Sequence, residues 1–517
     1  MQPINQEFEA AREKAAAEEK VSVNPPVVPD RRTLFLIFVG YFLLQAISRG
    51  LISETLGMDD AEQALLAQGW SWGYGPQPPL YTWLVMIVVK VIGLSSFSMA
   101  LLKNVLLFGI YVLTYFVGRR VTGSHAAATA AAVALQFMPS IAYEAHRELT
   151  HSILASFIVL LTLLVFLRLG PTDEPAESGH GRKTISAGWG WYIILGMLGG
   201  LGIVSKYNYS IFLVGLALAA LIRKSWRPIV LNWRAAAALV ITLLIIAPNL
   251  IWMKNHPDLA FGSVGKFNID SAHRLTSIVH GIGSWTSTSL DQVGILLVVF
   301  AILFWRGLFS RRLTLPTEKA RFLLATLCCI GAIILLGIVI SGATNARNRW
   351  LQPLIIPAPI LVVSICQAQL NARRLKAILG LGGAVALGVA VAAPGRILLT
   401  ERLGKLEGLN APYRKLGHDL NGPLERVSMI YCPETALAGN IRIWFPEKKV
   451  TAPMTAKTYP LIFPYAVVWD TANSRSAAFV AGATNLTANS LSQATYVEEI
   501  QKYHHTRTMR LGVLCPP

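Results

Sequence analysis

Charge is scarce in this chain: aspartate, glutamate, lysine and arginine together make up 14% of its 517 residues, against 53% hydrophobic, with a mean hydropathy of +0.49. A soluble domain carries about 25% charged residues, so this balance excludes the water-soluble class and reads as a polytopic membrane protein. Other absences narrow the function. No His/Cys array has zinc-finger spacing, and His504-His505 reads as solvated tail. No glycine-rich loop follows a strand, so a cytosolic nucleotide-sugar donor has no visible site and cofactor chemistry is not expected. Despite a net charge of +18, no basic stripe interleaves with aromatics, which argues against nucleic acid. No internal repeat or mid-membrane charge pattern of the kind transporters use is visible. The first 32 residues lack an apolar core followed by a cleavage site, and are expected to form a cytoplasmic tail.

Apolar runs of nearly twenty residues predict about eleven transmembrane helices, near 33–52, 97–117, 124–143, 152–169, 188–205, 208–222, 235–251, 291–305, 320–341, 351–369 and 375–393. The apolar stretch 79–94 is short, opens on prolines and contains Lys90. If it does not cross, every second connection is basic: Arg31-Arg32, Arg119-Arg120, Arg182-Lys183, Arg223-Lys224 with Arg227, Arg306 with Arg311-Arg312, and Arg373-Arg374. All of these then face the cytoplasm. Residues 79–94 are therefore expected to lie in the outer interface as an amphipathic helix, inside a long first outer loop of about residues 53–96. The division predicted is a tail over 1–32, an all-α polytopic membrane domain over 33–394, and a small α/β periplasmic domain over 395–517. In the last, strand-like runs 427–431, 465–469 and 509–514 alternate with helix-like segments near 404–420, 434–443 and 490–501. Cys432 and Cys515 could form a disulfide there or remain free, while Cys328, Cys329 and Cys366 read as packing residues in spans.

This topology gathers polar residues on the outer face: Asp59, Asp60 and Glu62; Glu144, His146, Arg147, Glu148 and His151; Lys206, Tyr207 and Asn208; Asn249 and the loop from Lys254 to Asp291; and Asn345, Arg347, Asn348 and Arg349. Ionisable groups beside hydrocarbon are costly and mark functional sites. Within that loop, Asn268 to Asp291 with His273 and Arg274 is either a lid or an ordinary connection.

The string Met58-Asp59-Asp60-Ala61-Glu62-Gln63, followed by Trp72-Gly73-Tyr74-Gly75-Pro76-Gln77-Pro78-Pro79-Leu80-Tyr81-Thr82-Trp83, resembles the first outer loop of the GT-C membrane glycosyltransferases. It looks most like the branch with protein O-mannosyltransferase-like enzymes, the lipid A aminoarabinose transferase and, in its Gln-Pro-Pro-Leu subgroup, the rhizobial lipopolysaccharide galacturonosyltransferases. Further matches follow in order at Arg147-Glu148-Leu149-Thr150, Gly202 to Tyr207, and Arg349-Trp350-Leu351-Gln352-Pro353, so that the resemblance covers about residues 35–370. It implies a bacterial inner-membrane enzyme with its active site facing the periplasm. Such an enzyme moves a sugar from a polyprenyl-phosphate carrier, with inversion, to a hydroxyl of a glycolipid or other envelope glycan such as lipopolysaccharide core or lipid A. The family's base position is Asp59; Asp60 replaces a glutamate, and Gln77 stands where the aminoarabinose transferases have a lysine.

The chemistry agrees. An attacking hydroxyl needs a carboxylate base, here Asp59, and a departing lipid phosphate needs fixed cations, with Lys206, Arg347 and Arg349 as candidates. Asp60 and Glu148 are further catalytic candidates, and Tyr74, Gln77, Arg147 and Tyr207 substrate-binding ones. Glu148 and His151, spaced i, i+3, could also hold a divalent metal ion. Plainer readings stand beside these: Asp59 as a helix N-cap, Glu148 in a structural ion pair, Lys206 and Arg349 as snorkelling cations, and the loop aromatics as an interface belt. The alternative function is a transporter or flippase of a polyprenyl-linked or amphipathic substrate.

Overall fold

The computed structural model describes residues 28–171, 188–269, 274–309, 315–404, 407–473 and 493–515. Most of the expected tail, Arg182-Lys183, Arg311-Arg312 and His273 lie outside them.

All eleven expected spans coincide with helices. Seven are long and apolar enough to cross a bilayer: α1 (Arg31–Ile52), α4 (Ser96–Thr122), α6 (Thr150–Leu169), α9 (Trp233–Asn255), α10 (Arg274–Phe309), α11 (Glu318–Ser341) and α14 (Ala372–Leu398). Between them fall α2 (Met58–Leu66), α3 (Leu80–Ile92), α5 (His125–Val133), α7 (Trp189–Ile203), α8 (Tyr209–Ile222), α12 (Asn348–Ile355) and α13 (Ala358–Cys366). Two spans are broken. The one opening with α5 bends by 75° before Ser140–Arg147, and the α12–α13 pair bends by 48°. Pro139 and Pro357 occupy the breaks, where a missing N–H and ring bulk prevent a continuous ladder. The remaining two, α7 and α8, are short at 15 and 14 residues.

One end of the bundle ties together Pro29, Val121, Thr122, Arg223, Thr317, Glu318, Gln367 and Arg374. Its bonds include Thr317 Oγ1 to the Val121 carbonyl at 2.7 Å and a two-pronged Arg223–Glu318 contact at 2.6 and 2.7 Å. The described basic connections therefore share this end. The opposite end holds α2, both ends of α3 and the C-terminal domain. Helix α3 has 13 residues, about 20 Å of helix against a hydrocarbon core of about 30 Å. It starts from a Leu80 N–H bond to the Val204 carbonyl and buries Tyr81, Thr82 and Val85, leaving Ile87, Val91 and Ile92 exposed.

Three expectations are corrected. The loop expected to reach Asp291 is helical from Arg274, because α10 starts there and runs unbroken to a kink at Phe304; Ser, Thr and Gly in its first half hid an amphipathic helix from the hydropathy count. The segment near 490–501 contains a strand, not a helix: its glutamates suit a helix, but Thr495 to Ile500 pair residue by residue with Thr508 to Val513. The helix near 404–420 is confined to α15 (Tyr413–Asp419), after a 3-10 turn at Gly408–Asn410.

The C-terminal domain is a five-stranded sheet of β1 (Met429–Tyr431), β2 (Lys449–Thr451), β3 (Tyr465–Asp470), β4 (Thr495–Ile500) and β5 (Thr508–Leu514), in the order β2-β1-β3-β5-β4. The first three strands are parallel, with α16 (Thr435–Trp444) linking β1 to β2, and β5 and β4 add antiparallel. Cys432 is buried and Cys515 exposed, and both are free thiols; burial pushes the Cys432 thiol well up.

A cysteine placed at Gly93 is expected to react with a membrane-impermeant maleimide from the same side as one at Trp70, and from the side opposite to one at Ser124. Labelling of Gly93→Cys from the Ser124 side would show that α3 crosses.

Candidate active site

The two neighbouring aspartates part company at the start of α2. Its N-cap is Gly57, so Asp59 is not the cap but a first-turn residue. Consecutive helical residues point about 100° apart. Asp60 turns inward to Lys103 of α4, with Nζ at 3.1 Å from Oδ1 and 3.3 Å from Oδ2 and both side chains almost wholly buried. Asp59 turns to the open side, where Oδ2 accepts the Leu149 backbone N–H at 2.9 Å and Oδ1 lies 3.8 Å from Arg349. Leu149 is a non-glycine residue in the left-handed region, φ +76°, at the N-terminus of α6. That conformation aims its N–H at the carboxylate.

Arg349 opens α12 and is the hub. Its guanidinium faces Asp59 on one side and Glu148, at 3.5 Å, on the other. Its carbonyl accepts from Lys206 Nζ at 2.6 Å and from Ser152 Oγ at 2.9 Å, and Lys206 also donates to Ser152 Oγ at 2.5 Å. Lys206 is 6% exposed. Burial, with Arg349 beside it and Asp59 opposing, brings its ammonium down to about 7. Glu62 of α2, one turn after Asp59, has no hydrogen-bonding or ion-pair partner among the described residues; burial and the Asp59 charge push its carboxyl up to about 7, against the pull of Lys266 and Arg349.

Two cavities meet here. The smaller, about 40 Å³, is lined by Asp59, Glu62, Gln63, Gln77, Leu149, His151, Lys206 and Arg349, among others. The larger, about 490 Å³, is lined by Glu144, Arg147, Glu148, Leu149, Thr288, Asp291 and Ala346 to Arg349. Leu149 and Arg349 are common to both. The structure thus brings Asp59, Gln77, Glu148, Arg147, Lys206, Arg347 and Arg349 around two adjacent cavities. It does not bring in three others. The Tyr74 hydroxyl donates to the Gly69 carbonyl at 2.8 Å and accepts the Ser71 N–H at 3.0 Å, which braces the loop. The Tyr207 hydroxyl donates to Asn249 Oδ1 at 3.1 Å, and Asn249 bonds the Trp72 carbonyl at 2.6 Å. Asp60 is held in its ion pair.

Glu148 and His151 are also kept apart. Glu148 faces Arg349, while His151 is buried with Nδ1 3.3 Å from the Ser205 carbonyl and Nε2 3.2 Å from Gln63 Nε2. Gln63 Oε1 accepts from Thr82 at 2.7 Å. A neutral imidazole protonated on Nδ1 satisfies this chain and leaves no nitrogen for a metal. Among the described residues no group of three or more His, Cys, Asp or Glu side chains could hold an ion.

The turn Val264–Phe267 folds onto the strand-like segment 343–345. Thr344 N–H donates to the Phe267 carbonyl, and Asn345 Nδ2 donates to the Lys266 carbonyl, each at 3.2 Å. Sequence reasoning weighed a lid against an ordinary connection farther along, at 268–291, a stretch that is helix from Arg274 onward. It also passed over Lys103, whose signal was a single lysine inside an otherwise apolar span.

Replacing Lys103 by Met is expected to lower stability by about 3–5 kcal/mol, because the Asp60 charge is left buried and unpaired, whereas Lys103→Met with Asp60→Leu is expected to regain most of the loss. Thermal unfolding in detergent of the parent, single and double variants checks this, and equal loss in single and double variants would contradict it.

The comparisons agree with the fold. A family model described as dolichyl-phosphate-mannose-protein mannosyltransferase matches residues 76–252. Lipopolysaccharide core galacturonosyltransferase RgtA of Rhizobium johnstonii is 30% identical over 438 residues, covering 82% of this chain and 82% of its own. RgtB of the same organism is 29% identical over 431 residues, covering 83% of each. The crystal structure of ArnT from Cupriavidus metallidurans bound to undecaprenyl phosphate superposes with a TM-score of 0.57 at 14% identity, covering 92% of this chain and 97% of that one, a likeness of fold. An apolar helical bundle with a small C-terminal sheet domain, an acidic pair in its first loop and relatives at this identity lead to one conclusion: the chain belongs to the GT-C membrane glycosyltransferases, in the family of the rhizobial lipopolysaccharide core galacturonosyltransferases.

Proposed function

We propose that this chain transfers a sugar, of the uronic acid class, from a polyprenyl-phosphate carrier to a hydroxyl of the lipopolysaccharide core, at the periplasmic face of the bacterial inner membrane and with inversion at the anomeric carbon. The observation that carries the reading is the convergence of Asp59, Lys206 and Arg349 on one small cavity that shares Leu149 and Arg349 with a larger one. Relatives whose names specify galacturonosyl transfer to lipopolysaccharide core support the sugar and acceptor. A neighbour of like fold with undecaprenyl phosphate bound supports the carrier.

In this reading the acceptor hydroxyl enters through the larger cavity and attacks the anomeric carbon. Its proton passes to Asp59 as the new C–O bond forms. The bond from the anomeric carbon to the phosphate oxygen breaks, and the lipid monophosphate takes the bonding pair. One Asp59 oxygen is already held by the Leu149 N–H, which fixes the carboxylate's orientation. Lys206 and Arg349 receive the growing phosphate charge; being fixed beforehand, they need no rearrangement at the moment of reaction. Gln77 lines the sugar pocket with an amide suited to hydroxyls. Arg147 and Arg347 supply positive charge for the sugar carboxylate, and Glu148 orients Arg349 and the acceptor. Asp60 stays outside the chemistry, neutralising Lys103.

Asp59→Asn is expected to bind the polyprenyl-phosphate donor as the parent does while kcat falls about 10²–10⁴-fold, the usual worth of a general base. Full transfer by this variant would remove Asp59 as the base, and movement of the lipid-linked sugar without a glycosidic bond formed would defeat the reading in favour of carriage. Mass spectrometry of core oligosaccharide from cells with and without the gene is expected to differ by one uronic acid residue.

The cations also set a pH response. Because the Lys206 ammonium sits near 7 in the free protein, its charged fraction falls as pH rises past that value. The donor KM is therefore expected to climb above about pH 7 in the parent and to stay flat to about pH 9 in Lys206→Arg, whose charge does not titrate there. A parallel rise in both proteins would contradict this.

A further inference from the structure

Helix α2 belongs to two cores at once. Ala61 and Ala64 pack in the core of the helical bundle, while Leu65 is buried in that of the C-terminal domain, with Leu437, Ile441 and Ile430. Between these faces, Asp59 and Glu62 line the small cavity. The contact with the C-terminal domain is unusually close. Gly439 of α16 lies against the α2 backbone, where a Cβ would stand 2.1 Å from the Ala61 carbonyl oxygen and 2.6 Å from its Cα. Those are main-chain atoms, so no rotamer change relieves the clash.

The next residue makes the contact directional. Asn440 is 1% exposed; its Oδ1 accepts the Leu56 N–H at 2.7 Å and its Nδ2 donates to the Leu56 carbonyl at 3.2 Å. One amide thus satisfies both main-chain groups of a residue just ahead of α2. Beyond the other end the arrangement is reversed: Gln68 donates to the Val450 carbonyl at 2.7 Å and accepts its N–H at 2.9 Å. Two more side chains, Ser53 and Thr55, bond the Leu409 and Ala411 carbonyls. A nine-residue helix does not hold itself in water. Its place is set from outside, and much of the outside is the C-terminal domain.

We propose that the C-terminal domain acts in the reaction by fixing the position of α2, with Gly439 and Asn440 as the positioning residues that set where the Asp59 carboxylate stands. The proposal rests on the reading of Asp59 as the base. Neither residue touches the cavity; each acts through the α2 backbone, and Asp59 in turn keeps its bond to Leu149.

The test uses the full-length chain in nanodiscs with a synthetic polyprenyl-phosphate uronic acid as donor, measuring kcat and donor KM separately beside thermal unfolding. Gly439→Ala and Asn440→Ala are expected to lose about tenfold to hundredfold in kcat, the scale set by a displacement of about 1 Å, with donor KM within about twofold of the parent. Gly422→Ala, in the same domain and facing open space, is expected to keep the parent's kcat. Should either variant fail to fold, Gln68→Ala loosens the far end of α2 and is expected to show the same split. Unchanged kcat in folded variants, a kcat loss matched by an equal rise in KM, or failure of all three to fold would each overturn the proposal. Asp59→Asn run in parallel separates the two claims: if it keeps full transfer, the base assignment falls; if it is inactive while the folded variants keep parental kcat, only the positioning role falls.

Discussion

Two carboxylates placed side by side at the edge of hydrocarbon must be dealt with separately, and the whole site follows from how that is done. Asp60 is compensated from within the bundle by Lys103, a lysine that α4 carries into an otherwise apolar region. Removing an isolated charge from water is expensive, and a paired one much less so. With Asp60 settled, α2 sits against the bundle in one rotational setting, and that setting turns Asp59 outward to Arg349 and Leu149. The adjacent aspartates thus have unlike fates for a reason as simple as the helical repeat.

The cations come from widely separated parts of the chain. Lys206 sits on the turn between α7 and α8, and Arg349 opens α12 after a chain reversal at Gly342. They are joined not by a mutual salt bridge but by a carbonyl: the Arg349 main chain accepts the Lys206 ammonium, so two like charges are held close at the cost of one backbone oxygen's lone pairs. Such an arrangement suits a polyanion that comes and goes. A permanently paired lysine would have to break its partner before meeting a phosphate.

Much of this was legible in the sequence, and the rest was hidden for identifiable reasons. The eleven apolar runs stood out because a membrane span must be long and greasy, and Asp59, Lys206 and Arg349 because charge next to such runs is rare. Residues 79–94 could be kept out of the span count from the alternation of basic connections, and the structure returns both ends of α3 to one side. Lys103 was missed because a window average absorbs one charge. The Thr82-Gln63-His151-Ser205 chain was missed because its successive members are 19 to 88 positions apart and neutral. Tyr74 was read as sugar-facing from its neighbours, yet its hydroxyl satisfies the loop's own backbone. The lower half of α10 was taken for loop because its polar face balances its apolar one in any average.

The left-handed backbone at Leu149 carries a consequence of its own. An L-residue there is less comfortable than in ordinary helical geometry by about 1–2 kcal/mol. The N–H that this twist presents is the one Asp59 accepts, and the same residue lines both cavities. The hydrogen bond that the twist makes possible is thus set against the strain of the twist, and a residue without a Cβ at position 149 would hold the same N–H in place without that strain.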